Sequence, residues 1–224
     1  MDVAIRRADR NDRELVVRVL DEAFQGDPVS GWVFPGEEHR RATHHRLMAA
    51  FADTVLAEGR IDLVEDGTAC ALWLPVPAAP VAESAAPAAP AGAADAPAGA
   101  ADAPAGAADA AGDEAETLRQ EVDPENGRVE LIARLMAEAH PADRAHEYLW
   151  MIGVVPGHQG RGLGTALIRP VLERCDREGL PAYLEASSPR SVPLYERLGF
   201  AALDRTLDLP DGPRMWPMWR EPRG

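Results

Sequence analysis

The stretch Glu147–Gly179, EYLWMIGVVPGHQGRGLGTALIRPVLERCDREG, decides how this chain folds. Leu149–Val155 is an apolar, β-branched run long enough for one buried strand. Pro156-Gly157 breaks it, and Gln159-Gly160-Arg161-Gly162-Leu163-Gly164 leads straight into helix-periodic sequence. Leu163, Leu167, Val171 and Cys175 recur every four residues, with Ile168 and Leu172 on the adjoining row, so one helix face is apolar. Pro170 lies inside that helix and is expected to kink it, because it removes a backbone donor and crowds the preceding turn. Gly179 is the expected stop.

A strand, a glycine loop and a helix N-terminus together form an anion site. The first amides of a helix have no internal partner, and the helix dipole favours negative charge there. Glycines at alternate positions let the backbone approach a phosphate without Cβ collisions, and Arg161 adds a charged fork suited to phosphate oxygens. An ordinary tight turn using glycine is the plainer reading of the same spacing. A P-loop is excluded, since it needs a lysine and all 23 basic residues here are arginine. A dinucleotide fingerprint fits poorly. Its third glycine falls one place early and Pro156–Gln159 lengthens the turn, although Glu185 stands where a ribose-binding acid is expected.

The loop Gln159–Gly164 resembles the acyl-CoA pyrophosphate loop, Q/R-x-x-G-x-G/A, of the GCN5-related N-acetyltransferases, the GNAT superfamily. Leu184-Glu185-Ala186-Ser187 and Pro193–Phe200 are similar to the C-terminal half of that superfamily. Within it, the segment from about Trp150 to Arg220 resembles the puromycin-acetylating branch most nearly, with Gly212-Pro213-Arg214 and the Trp216…Met218 ending included. The N-terminal half matches more loosely, through Ala23-Phe24…Asp27-Pro28. The resemblance implies an α/β (α+β) GNAT fold: a mixed central sheet of six to seven strands, splayed at the central strand pair and flanked by helices. It also implies acetyl-CoA as acyl-donor co-substrate, no metal, and a small-molecule primary amine as acceptor.

Composition narrows the remaining classes. With 224 residues and 46% apolar content, no run approaches the roughly 18 apolar residues of a membrane span. The N-terminus enters a strand directly, without a signal-like apolar stretch. Cys70 and Cys175 each sit in an apolar segment, which points to two buried free thiols and a reducing cytoplasm. Half of the formal charge of −14 comes from seven acids between Pro77 and Glu116, where there is no arginine. An acidic chain with no basic stripe is a poor partner for nucleic acid or anionic membranes and suits a cationic amine. The expected assembly is a monomer or homodimer.

Taken in order, Val3–Arg7 reads as a strand, and Asp9 or Asn11 caps a helix carrying Leu15, Val16, Val19, Leu20 and Phe24. A loop is expected at Val29–Pro35 and a second helix at Glu37–Glu58. Ile61–Glu65 and Ala69–Leu74 form a hairpin turning at Asp66-Gly67. Ala89–Asp95, Ala96–Asp102 and Ala103–Asp109 are three copies of APAGAAD, with Pro and Gly in each and no large apolar residue. We read 76–112 as a flexible insertion within a single domain spanning 1–224. Helical periodicity resumes over Asp113–His140, interrupted at Asp123–Gly127. Strands follow at Pro181–Ala186, 201–209 and Met215–Arg220, with a helix at Ser187–Leu198.

The resemblance also assigns roles. Backbone groups of Val154 and Val155 face the donor, and Gln159, Gly160, Arg161, Gly162, Leu163, Gly164 and Thr165 hold its pyrophosphate. Tyr195 matches the tyrosine that protonates the departing thiolate, or else packs its helix on the sheet. Glu185 is a base whose pKa burial would raise, an orienting group for the ammonium, or a structural acceptor. Asp27 and Trp32 match the acceptor-lining region. Ser191 stands where the family often has asparagine, so that donor contact is weakened. His158, beside the loop, is near the phosphates or merely exposed. His39, His44 and His45 make a poor metal set, since adjacent histidines diverge by about 100° on a helix. Two rival functions remain at this point: a polypeptide Nα-acetyltransferase, and a non-catalytic acyl-CoA sensor.

Overall fold

The computed structural model describes residues 3–79 and 105–224. β1 (Ile5–Arg7) passes through a 3-10 turn, Arg10–Asp12, into α1 (Arg13–Phe24). Asp9 caps the turn: its carboxylate accepts the Asn11 amide at 2.7 Å, while Asp12 accepts the Asp9 amide at 3.0 Å. The segment expected as a loop at Val29–Pro35 instead contains α2 (Pro28–Val33). Asp27 accepts the amides of Val29 and Ser30, and Pro28 opens the helix, so cap and proline start a turn that the short apolar run concealed.

α3 (Glu37–Glu58), β2 (Arg60–Val64) and β3 (Ala69–Val76) follow, with Gly67 at φ +69° in the hairpin turn. β3 runs to Val76, and α4 (Ala105–Val122) opens inside the third APAGAAD copy. Val76 and 105–112, both inside the 76–112 expected as a flexible insertion, are strand and helix, and 80–104 lie outside the described residues. Pro104 is the last proline of the repeats, and the alanine-rich stretch after it continues without proline into Asp113–Val122, which favours helix. α5 (Gly127–Ala139) follows the expected break, capped by Asn126. Then come β4 (His146–Val154), α6 (Leu163–Glu178) and β5 (Ala182–Ala186). α7 (Val192–Arg197) is shorter than the expected Ser187–Leu198, and β6 (Ala201–Ala202), β7 (Leu207–Asp208) and β8 (Arg214–Arg220) close the chain. Gly179 ends α6 at φ +68°, as its position predicted, and Pro170 lies within that helix.

Among the described residues, seven strands run in the order β1-β2-β3-β4-β5-β8-β6, and β7 pairs with β8 off that path, one strand more than expected. Every pairing is antiparallel except that of β4 with β5. That parallel pair holds together only at Glu147↔Ala182 and Tyr148↔Tyr183. Beyond it β4 follows β3 as far as Val154, β5 follows β8 as far as Ala186, and the sheet opens in a V. A register shift opposite Leu72/Trp73 leaves Trp150 as an extra residue in β4, a bulge that bends the strand away from β5.

Helices cover both faces. One core gathers Val16, Val19 and Leu20 of α1, Leu47 and Met48 of α3, and Val122, Val129 and Ile132 of α4 and α5. The other seats Leu167, Ile168, Val171 and Leu172 of α6 on Leu149, Leu184 and Met218. Cys70 and Cys175 are buried free thiols whose pKa values burial pushes up to about 12 and about 11, so both stay neutral. Among the described residues, no helix is long and apolar enough to cross a membrane.

Candidate active site

The V between β4 and β5 opens into a cleft of about 1750 Å³, larger than the roughly 300–1,000 Å³ of a single-ligand pocket and suited to two substrates. One end is the loop before α6. Gly160 and Gly162 sit at φ +73° and +82°, a backbone state that side chains disfavour, and no side chain caps the helix. The first amides of a 16-residue helix are thus left without internal partners and border the cleft through Gly162, Leu163, Gly164 and Thr165. Gln159 and Ser191 also border it. The Ser191 hydroxyl donates to the Ser188 carbonyl at 2.8 Å, so it serves its own turn.

Three expected positions fall elsewhere. Arg161 is exposed and folds back on the loop, donating to the Gly157 carbonyl at 3.0 Å, and it is not part of the cleft wall. The arginines on that wall are Arg190 and Arg197. The Val155 amide donates to the Thr68 carbonyl at 2.9 Å, so that residue's backbone turns toward β3. Strand alternation then points the backbone groups of Val154 and Ile152 into the V, where the Gln159 amide reaches the Val154 carbonyl at 3.4 Å. Trp32 is buried; its indole donates to the Pro210 carbonyl at 2.8 Å under the Arg128 guanidinium, away from the cleft. His39 pairs with Asp123 at 2.7 Å, and buried His44 bridges Asp21 and Ser30 at 2.7 and 3.0 Å. His158 borders the loop end of the cleft.

At the fork of the V stands Glu185, its side chain only 1% exposed. The Tyr148 hydroxyl donates to Glu185 Oε2 at 2.7 Å, and Oε1 has no hydrogen-bond partner among the described residues. Burial raises its pKa from 4.5 to about 7, against the opposing pull of the Tyr148 bond. The Tyr183 hydroxyl is felt electrostatically, although it makes no hydrogen bond of normal geometry. Tyr195, from α7, lines the same cleft, with burial and the nearby Asp27 holding its phenol neutral. Asp27 binds Ser187 across the cleft at 2.6 Å, and burial lifts its pKa above the usual range.

The remaining wall was not anticipated from sequence. Phe51 and Trp150 meet at 4.5 Å between ring centres, and Met48, Leu118 and Met136 continue an apolar surface from α3, α4 and α5. Asp113, Glu114 and Glu121 of α4 add acidic side chains to it. Tyr148 had a readable signal, a tyrosine beginning the strand that faces Glu185, but the partnership itself is set by β4–β5 register.

Residues 105–200 match the acetyltransferase (GNAT) family model. That segment is similar to GNAT-family sequence. It covers α4 through α7, the half that contains the V, the loop and Tyr195. An uncharacterized N-acetyltransferase of Schizosaccharomyces pombe is 47% identical over 53 residues, 24% of this chain and 22% of the relative. A mycothiol acetyltransferase of Streptomyces scabiei is 38% identical over 81 residues, 35% of this chain and 26% of the relative. The chain thus spans about a quarter of the length of these relatives. Among solved structures, a Corynebacterium glutamicum protein described as histone acetyltransferase HPA2 and related acetyltransferase superposes with a TM-score of 0.64. It shares 22% identity, with 100% of this chain and 98% of that one covered, which speaks for the GNAT fold. These matches support the family and not the puromycin branch within it.

Proposed function

We propose that this protein, read as one domain over 1–224, transfers the acetyl group of acetyl-CoA to the primary amine of a small molecule by direct attack on the thioester. The observation that carries the proposal is Glu185: a buried carboxylate with a pKa near 7 faces the same V as the Tyr195 phenol and the uncapped α6 terminus. When bound, acetyl-CoA supplies an activated acyl group and a thiolate leaving group. The α6 amides hold a pyrophosphate, and the V offers backbone groups of Ile152 and Val154 to an extended chain. Glu185 takes the proton that keeps an ammonium unreactive. Tyr195 gives its proton to the leaving thiolate. Neither cysteine serves as a nucleophile, since both are buried and neutral.

The apolar wall of Phe51, Trp150, Met48 and Met136, with acids beyond it, suits an amine carrying an aromatic or aliphatic body. An aminonucleoside such as puromycin falls in that class. A thiol-release assay with acetyl-CoA over arylalkylamines, polyamines, puromycin and N-terminal peptides tests this. Turnover is expected with an apolar-bodied small amine. Acetyl-CoA raising Tm without release on any amine would replace the enzyme by a sensor, and turnover of peptides alone would replace the small acceptor. Gly162→Ala places a Cβ at φ +82°, costing about 1 kcal/mol and displacing the amides it orients. Its KM for acetyl-CoA should rise about tenfold while the KM for the amine holds.

A further inference from the structure

Glu185 is almost fully buried where it meets the cleft, yet a base must shed each proton it collects before the next turnover. Its side chain is 1% exposed, and Oε1 lacks a hydrogen-bond partner among the described residues. The group facing Oε1 is His140, which ends α5: its Nδ1 lies 3.9 Å away, and its side chain is 19% exposed. His140 also borders the cleft. On its other side, His140 Nε2 stands 3.0 Å from His146 Nε2, and His146 Nδ1 lies 2.7 Å from the Arg144 carbonyl.

These contacts determine where the protons sit. A carbonyl only accepts, so His146 donates from Nδ1 and its neutral ring offers a lone pair at Nε2. His140 must then donate from Nε2, which leaves its Nδ1 lone pair facing Glu185. Burial, the neighbouring His146 and Arg205 keep the His140 ring neutral, so that lone pair persists near pH 7. Tyr148 and Tyr183 pack edge-on against the ring, with centres 4.6 and 4.8 Å away, and hold its plane.

We propose that His140 is a proton-relay residue between Glu185 and solvent, and that His146 positions it by fixing its tautomer. The proposal rests on Glu185 acting as the base. The ammonium of the acceptor gives a proton to the Glu185 carboxylate. The resulting carboxyl passes it to His140 Nδ1, through the small movement that closes 3.9 Å, and returns to carboxylate. The transient imidazolium keeps its Nε2 proton in the bond to His146 and gives the Nδ1 proton to water entering from the cleft that His140 borders, which restores the starting tautomer. No charge is left over, and no other reactant is needed.

The test is turnover in weakly buffered solution with and without 1,2-dimethylimidazole, a small base that cannot be stably acetylated. His140→Ala should lose at least tenfold in kcat with its KM for acetyl-CoA within twofold, and the added base should restore most of that loss in a saturable way. Wild type should not respond. His146→Phe should show a smaller loss with the same rescue, and His140→Gln repeats the measurement should the alanine variant unfold. Full kcat in the His140 variants, or a loss that the base does not relieve, overturns the relay. A Glu185→Gln variant with full kcat overturns the base assignment itself, so the two failures are distinguishable.

Discussion

Glu185→Gln is expected to lower kcat/KM about a hundredfold at pH 8, and to remove a limb from the pH profile. Positioned acid–base groups typically contribute 10²–10⁴-fold. In the wild type the carboxylate is the working form, so kcat/KM should climb tenfold per pH unit below about pH 7 and level off above it. Glutamine has nothing to titrate there, and the variant's profile should be flat through that region. Stability moves the opposite way. The folded pKa lies above the ordinary 4.5, so between pH 4.5 and 7 the native state holds more proton than the unfolded chain. Wild-type stability relative to the variant should therefore fall as pH rises across that window and stay constant above it. With a shift to about 7, the total is on the order of 3 kcal/mol. Melting curves of both proteins from pH 4 to 8 check the sign. A constant difference would show that the carboxylate is not strained by burial.

Tyr195→Phe is expected to cost about a hundredfold in kcat, with little change in Tm. The phenol is held neutral by burial and by Asp27, with no hydrogen bond among the causes of its shift, so the deletion leaves no orphaned partner. A loss in kcat separates proton donation from packing, since phenylalanine keeps the packing of the ring and would leave kcat intact. The leaving group offers a second measurement. A thiolate that needs no proton in the transition state would leave the phenylalanine variant within a few-fold of wild type, and would remove Tyr195 from the chemistry.

The strand–loop–helix of Leu149–Glu178 was legible because its signals are local. Glycine at positions 160 and 162, and an apolar row along α6, bear on residues a few places away. The hairpin at Asp66-Gly67 and the boundaries of α3 were readable for the same reason. The helix at Pro28–Val33 was missed because six residues give too little periodicity to read. Arg161 was assigned to phosphate on its charge and on the resemblance of its loop, and its contact here, the Gly157 carbonyl, depends on how the loop curls. Trp32 was placed in the acceptor region by resemblance, and the packing of α2 against Pro210 turned it inward.

By itself the sequence determined most of the order of elements, the glycine loop that leads into a helix N-terminus, the buried state of both cysteines and the candidacy of Glu185 and Tyr195. Each follows from local pattern or residue chemistry. Only the tertiary structure decided what those residues do together. The V exists because β4 and β5 pair at two positions and then follow different neighbours. That geometry brings Tyr148, from 37 residues earlier in the chain, to Glu185 at 2.7 Å. It also brings His140 to the carboxylate's open side and Asp27 beside Tyr195. The raised pKa that suits Glu185 to the proposed role of base is a property of its burial, and burial is produced by contacts between residues far apart in the chain.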